Sequence, residues 1–168
     1  RGAMDNGCHC GDESLRLLLI HQNFPGQFRA LAPHLLAQGH ELVAIASHQR
    51  PIPYACRILR YEAPRPLAES APFGTTLWHE ALQRAQAVAH LCDGLNREGW
   101  RPDRILAHSG WGETLALHEV WPSAPQILWP ELWVLPEHGG FGVDPQKPSP
   151  GLAQRLEQLG RNSITRTA

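Results

Sequence analysis

Short apolar runs alternate with segments of helical periodicity along most of this chain. Leu15–Ile20 is largely apolar and bounded by turn-forming residues, as is typical of a strand buried on both faces of a parallel sheet. From Gln27 to Gln38 apolar residues recur at helical spacing, Gly39 supplies a helix C-terminus, and Leu42–Ala46 is a second apolar run. A strand, a helix and a strand within about 30 residues predict a right-handed βαβ unit.

The same alternation returns further along the chain. Residues 75–97 carry the longest helical pattern, whose apolar stripe is Leu77, Leu82, Ala85, Val88, Ala89, Cys92 and Leu95. Arg104–Ala107 predicts a strand, and a helix is predicted over about 112–120 after a glycine-containing turn. Further predictions are listed in chain order: a strand at Cys56–Tyr61, an irregular connection over 62–73, a strand at Gln126–Trp129, and a last helix marked by Leu152, Leu156 and Leu159.

Strands of buried composition that alternate with helices predict an α/β fold. We expect a Rossmann-like, doubly wound, mostly parallel sheet with helices on both faces, spanning residues 15–168. Residues 1–14 are interpreted as a cloning remnant before Met4, the only methionine, followed by a polar, disordered leader. The last helical pattern has no stop signal, so we expect the natural chain to continue beyond this domain.

Composition and charge exclude several classes of function. The 168 residues contain 15 Lys and Arg against 16 Asp and Glu, and this net charge of -1 gives no broad electrostatic reason to bind nucleic acid. Uninterrupted apolar stretches such as Leu17–Ile20 are far shorter than the roughly 20 residues that span a bilayer. No secretory signal is visible, so we expect a cytoplasmic protein that recognises small ligands.

The cysteines predict neither a disulfide framework nor a metal site. Cys56 and Cys92 fall in predicted core elements, and we interpret all four cysteines as reduced thiols. Cys8, His9 and Cys10 are metal-ligand types, but no second ligand pair has zinc spacing. We therefore expect no metal and no cofactor.

One candidate site follows the first predicted strand. Ligands of open parallel sheets bind beyond the carboxyl ends of the strands, and His21, Asn23, Pro25, Gly26 and Gln27 lie there. Pro25 fixes its own φ, and Gly26 permits a phosphate or a sugar hydroxyl to approach the backbone. A plain turn between a strand and a helix needs the same residue types, and the His21 and Asn23 side chains can bond the loop backbone instead. Both interpretations stay open.

A second candidate site lies in the stretch "AHSGWGE". His108 ends a predicted strand, where an imidazole can donate or accept a hydrogen bond near neutral pH. Glu113 falls in the first turn of the predicted helix and could simply complement its dipole. Most of the six tryptophans are expected to pack in the core or at a domain interface, but Trp111 and Trp133 lie on predicted loops and are exceptions. Residues 130–145 are typical of a cleft-lining loop.

Three stretches together resemble a known family. "LLLIHQNFPGQFRALAPHLLAQGHELVAIA", "ILAHSGWGETLALHEVWP" and "GFGVDP" are similar to the amino-terminal half of family 4 glycosyltransferases, in a bacterial subgroup with the NFPGQF loop. The resemblance spans 15–168 and is thin between 47 and 73. It implies a GT-B architecture, in which two Rossmann-like domains face each other across a cleft. The carboxyl-terminal domain, missing here, would bind the nucleotide-sugar donor.

The resemblance also implies roles for individual residues. It makes Asn23, Pro25, Gly26 and Gln27 a donor-diphosphate loop, and His108 the catalytic residue near the transferred sugar. The residues expected to shape the acceptor side or the cleft are His21, Trp111, Gly112, Glu113, Glu131 and Trp133. Transfer would retain the anomeric configuration without a metal, consistent with the lack of an Asp-x-Asp pair in the sequence. The acceptor would be a sugar or a lipid-linked molecule, which leaves peripheral membrane contact open.

The main alternative is a non-catalytic Rossmann-like module that binds a sugar, a nucleotide or a partner protein. Loss of the paired glutamates expected in the carboxyl-terminal domain would favour it. An oxidoreductase is disfavoured, because no Gly-x-Gly-x-x-Gly follows the first predicted strand. By itself, the amino-terminal half is expected to be inactive.

Overall fold

The computed structural model describes residues 13–67, 75–130, 133 and 151–167. The strands are β1 Arg16–Ile20, β2 Asn23–Phe24, β3 Glu41–Ala46, β4 His48–Gln49, β5 Arg57–Arg60, β6 Arg104–Ser109 and β7 Gln126–Pro130. A short 3-10 helix, Gly26–Arg29, precedes the α-helices α1 Leu31–Ala37, α2 Thr75–Arg97, α3 Leu117–Val120 and α4 Leu152–Thr167. The alternation of strands and helices therefore has the predicted order.

Five strands form one parallel sheet with the order β5-β3-β1-β6-β7. The chain moves outward from β1 to β3 and β5, then returns to the other side of β1 with β6 and β7. The reversal of strand order thus falls between β1 and β6, where Ile20 pairs with Ala107. This arrangement confirms the predicted Rossmann-like α/β fold.

Both faces of the sheet are covered, because alternate residues of each strand enter different cores. Leu17 and Leu19 pack with Phe28 and α1 on one face, whereas Leu18 and Ile20 pack with α2 on the other. Each fully buried Leu or Ile contributes about 1.5–3 kcal/mol from removal of its side chain from water. This two-sided burial explains why β1 is apolar throughout instead of alternating with polar residues.

The predicted helix over about 112–120 is wrong in its first half. Only Leu117–Val120 is helical, and a turn precedes it. Gly110 and Gly112 have φ values of +109° and +113°, which a right-handed helix cannot contain. A Cβ at Gly112 would also overlap the backbone of Ala81 in α2, so close packing of this turn on α2 requires glycine.

The longest helix has the predicted bounds, and Ala85, Val88, Cys92 and Leu95 of its predicted stripe are buried. Ala81 is buried as well. Leu82, assigned to the stripe by sequence, is 58% exposed, because the face that packs on the sheet passes through Ala81. The last helix was predicted, yet its marker leucines Leu152, Leu156 and Leu159 are exposed while Ile164 is buried.

Three smaller observations complete the comparison. The first predicted helix starts as the 3-10 turn before α1 begins at Leu31. Residues 62–67 are irregular as predicted, and the rest of that connection up to residue 73 lies outside the described residues, as do Cys8, His9 and Cys10. Within the described part of the chain, every helix is too short or too polar to cross a membrane.

Candidate active site

Two predicted site residues meet where the strand order reverses. His21 directly follows β1, and His108 is the second-last residue of β6. Their rings stack with centroids 4.6 Å apart and planes inclined by 26°. Both residues are buried, with 6% and 4% of their surface exposed. The structure thus brings the two histidines together at the edge where open parallel sheets bind ligands.

Hydrogen bonds fix the His21 ring at both nitrogens. Its Nδ1 accepts the backbone N–H of Asn23 at 2.9 Å. A ring nitrogen that accepts carries no proton, so the proton of the neutral imidazole is on Nε2, which donates to Oε1 of Gln27. His21 and Gln27, predicted separately, therefore form one hydrogen-bonded unit with the loop between them.

The shape of the loop explains the glycine in "NFPGQF". Gly26 has a φ of +45°, and a Cβ at this position would overlap the His21 ring. The Phe24–Pro25 peptide is cis, and the Pro25 carbonyl accepts the backbone N–H of Phe28 at 2.7 Å. Packing against His21 is therefore sufficient to explain the glycine, in agreement with the interpretation of this segment as a plain turn. Gly26 and Gln27 are nevertheless exposed, so a ligand can reach this turn.

A second short sheet anchors the same loop. Asn23 of β2 pairs with His48 of β4, so the segment after β1 runs beside the segment after β3. The Gln22 carbonyl accepts the backbone N–H groups of Ser47 at 3.1 Å and of His48 at 2.8 Å. The candidate loop is consequently held from the β3 side of the crevice.

Glu113 is buried and bonded to a tyrosine that sequence reasoning missed. The Tyr61 hydroxyl donates to Oε1 of Glu113 at 2.7 Å, and Glu113 is only 1% exposed. Among the described residues, Oε2 of Glu113 has no hydrogen-bond partner. Burial, and then the negative charge of Glu113, raise the pKa of Tyr61, so its hydroxyl stays protonated and able to donate. Tyr61 directly follows β5, so its position at a strand's carboxyl end was the available signal.

The suggestion that Glu113 complements a helix dipole is wrong, because it lies in the turn before α3. Trp111 and Gly112 belong to the same turn. Arg84 of α2 donates to the Trp111 carbonyl at 3.4 Å and pairs with Glu80 at 3.3 Å. The turn after β6 is thus attached to β5 through Glu113 and to α2 through Trp111 and Gly112.

The two tryptophans predicted to line the cleft each contact an arginine of α4. The Arg161 guanidinium lies 5.2 Å from the Trp111 ring centroid, and that of Arg166 lies 5.0 Å from the Trp133 centroid. Such cation–π contacts contribute about 0.5–1 kcal/mol at exposed sites. Trp133 remains 43% exposed.

The remaining predictions concern residues outside the described ranges and the absence of a metal. Glu131 and the "GFGVDP" stretch lie outside the described residues. Within the described ranges, three or more His, Cys, Asp or Glu side chains are nowhere grouped to hold a metal ion. Metal-independent and cofactor-independent chemistry stays a prediction.

One exposed aromatic residue beside the site was missed. Trp129 of β7 is the register partner of His108 and is 50% exposed. Its ring contacts Phe28 edge to face, with centroids 6.4 Å apart, and Phe28 contacts His21 in the same manner at 6.0 Å. Sequence reasoning placed Trp129 in the packing group, although its location near a strand's carboxyl end was a usable signal.

The fold and these residues define a Rossmann-like domain with a candidate ligand site between β1 and β6. A family model described as the glycosyl transferase family 4 group matches residues 38–168, which is more than half of the chain. The chain belongs to this glycosyltransferase family. The matched region contains His108, Trp111, Gly112 and Glu113, and begins after the His21–Gln27 loop.

Two other comparisons add little. Among curated proteins, none matches this chain. Among solved structures, the C-terminal domain of a hydrogenase from Pyrococcus furiosus is 12% identical, and the match covers 70% of this chain and 94% of that one with a TM-score of 0.42. The fold assignment rests on the strand order and register of the chain itself.

Proposed function

We propose that this chain is the acceptor-side domain of a retaining GT-B glycosyltransferase that transfers a sugar from a nucleotide-sugar donor to an acceptor. The observation that carries the proposal is the stacked pair of His21 and His108 at the reversal of strand order, in a chain that belongs to a glycosyltransferase family. The donor would be bound mainly by a second, carboxyl-terminal domain across a cleft. The domain alone would then be inactive.

In this proposal the loop after β1 contacts the donor diphosphate. Gly26 and Gln27 are exposed and held in place, because the Gln27 side chain is bonded to the fixed His21 ring. The backbone of Asn23 and Pro25 positions this turn through the bond to Nδ1 and the bond to Phe28. A loop held in this way loses little conformational freedom on binding, so its polar groups are already oriented when charge develops on the leaving diphosphate.

His108 would contact the transferred sugar. Its ring is stacked against His21 on the β1 side, and its backbone belongs to the strand β6, so it is rigidly positioned. In a retaining front-face displacement, the bond between the anomeric carbon and the phosphate oxygen breaks while the acceptor oxygen bonds to the same face. The acceptor proton passes to the departing phosphate oxygen. The protein then contributes mainly positioning and stabilisation of developing charge.

A donor and acceptor screen tests this function. The natural full-length protein would be incubated with a panel of nucleotide sugars and with sugar and lipid-linked acceptors, and both hydrolysis and transfer would be recorded. The proposal expects transfer from at least one donor, with NMR of the product showing a retained anomeric configuration. Neither transfer nor hydrolysis with any donor would instead favour a non-catalytic binding module, and an inverted product would refute the retaining mechanism.

Localisation follows from the same proposal. In this proposal the site faces the cytoplasm, where the nucleotide-sugar donor would be supplied. A lipid-linked acceptor would require peripheral membrane contact, whereas a sugar acceptor would not. Sedimentation of the full-length protein with and without lipid vesicles would distinguish the two.

A further inference from the structure

A row of three aromatic side chains crosses the carboxyl edge of the sheet. His21 follows β1, His108 lies in β6, and Trp129 lies in β7, with His108 and Trp129 as direct register partners. Register partners of a parallel pair project to the same face of the sheet. Trp129 and His108 therefore project from neighbouring strands on the same face, which carries α1 and Phe28.

The row changes from buried to exposed along its length. His21 and His108 are almost completely buried, whereas Trp129 is 50% exposed. The edge-to-face contact with Phe28 holds the indole in one orientation. The exposed indole therefore belongs to the strand next to the buried His108, on the same face of the sheet as the two histidines.

We infer that Trp129 is a substrate-contacting residue, whose indole stacks against a sugar ring of the acceptor. The inference rests on the proposed function and narrows the acceptor to a carbohydrate. The C–H groups on one face of a pyranose form an apolar surface that packs on an indole, while its hydroxyl groups remain available for polar side chains. At this edge, such a sugar would lie beside His108.

Ile127 provides a matched control on the same strand. It precedes Trp129 by two residues, so it projects to the same face, and it is 56% exposed. It lies further from the carboxyl edge, because its register partner is Leu106 instead of His108. If the exposed side chains on this face only covered the sheet, substitutions of Ile127 and Trp129 would have similar effects.

Saturation-transfer NMR on the full chain tests the contact directly. The probes are methyl glycosides of glucose, galactose and mannose, with uridine monophosphate as a comparison ligand. We expect saturation of the ring C–H protons of at least one glycoside by the unmodified chain. The signal should fall about tenfold in Trp129→Leu, persist in Trp129→Phe and remain unchanged in Ile127→Ala. Far-UV circular dichroism of each variant would confirm an intact fold.

Several results would overturn the inference. They are no glycoside saturation in the unmodified chain, an equal signal in Trp129→Leu, or loss of signal in Ile127→Ala as well. Saturation of the uridine base alone, abolished by Trp129→Leu, would assign the indole to a nucleobase and contradict the sugar contact.

Kinetics of the full-length protein separate this inference from the proposed function. The inference expects the acceptor KM to rise about tenfold in Trp129→Leu while the donor KM is unchanged. Unchanged kinetics in an active enzyme would refute the role of Trp129 and leave the transferase intact. Absence of transfer by the unmodified protein would count against the transferase itself.

Discussion

Replacing Tyr61 with phenylalanine removes one oxygen atom and tests the buried link between β5 and the turn after β6. The Tyr61 hydroxyl donates to Oε1 of Glu113 at 2.7 Å, in a site where Glu113 is 1% exposed. Phenylalanine keeps the ring and its packing. The substitution therefore isolates the hydrogen bond.

The expected loss of stability is about 2 kcal/mol. A hydrogen bond to a charged group contributes about 1.5–3 kcal/mol, and its removal leaves the buried carboxylate without this donor. For a domain of this size, about 2 kcal/mol corresponds to a decrease in Tm of roughly 4–8 °C. In a Glu113→Gln background the bond is neutral, so Tyr61→Phe should cost only about 1 kcal/mol there.

Urea unfolding followed by tryptophan fluorescence measures these differences, provided the m-value is unchanged. Tyr54 supplies the control, because its hydroxyl is buried and has no hydrogen-bond partner among the residues that the structure describes. Tyr54→Phe should be neutral or slightly stabilising. A Tyr61→Phe variant within about 0.5 kcal/mol of the unmodified chain, or one no worse than Tyr54→Phe, would refute the reasoning.

Two further predictions concern stability. Gly112→Ala should be less stable than Gly99→Ala by about 1–3 kcal/mol in the same urea assay, because both glycines have positive φ but only Gly112 would place a Cβ against the Ala81 backbone; equal losses would contradict this packing. Burial raises the pKa of the Cys92 thiol from 9.0 to about 12, so its contribution to stability is complete below pH 9 and is lost as the pH rises, because the unfolded thiol ionises first. Between pH 8 and 10 the free energy of unfolding of the unmodified chain should fall by about 1.4 kcal/mol more than that of Cys92→Ala. Parallel pH profiles of the two proteins would contradict a raised pKa of the Cys92 thiol.

The parallel sheet could be predicted because its signal is local. Each central strand is a short apolar run, since both of its faces are buried, and α2 is long enough for its period to be clear. The turn before α3 could not be predicted in the same way. Gly112 looks like an ordinary turn residue in sequence, and only the approach of Ala81 from a distant helix shows why the helix starts late.

The candidate site shows the same division. His21 and His108 were found because each follows or ends an apolar run, and parallel strands place such residues at one edge. Tyr61 and Trp129 were missed although Tyr61 directly follows β5 and Trp129 lies near the carboxyl end of β7. Their roles depend on contacts with Glu113 and Phe28, which are distant in sequence and visible only in the folded chain.

The most direct test of the central claim is the rate of sugar transfer by the natural full-length protein with His108 replaced by alanine. A positioned side chain that stabilises charge developing in the transition state typically contributes about 100-fold or more to a rate. The account predicts a loss of at least that size in kcat/KM for His108→Ala, and less than about twofold for His90→Ala, an exposed histidine on α2. A His108→Ala enzyme that folds normally and transfers sugar as fast as the His90→Ala control would contradict the assignment of the active site to the crevice between β1 and β6.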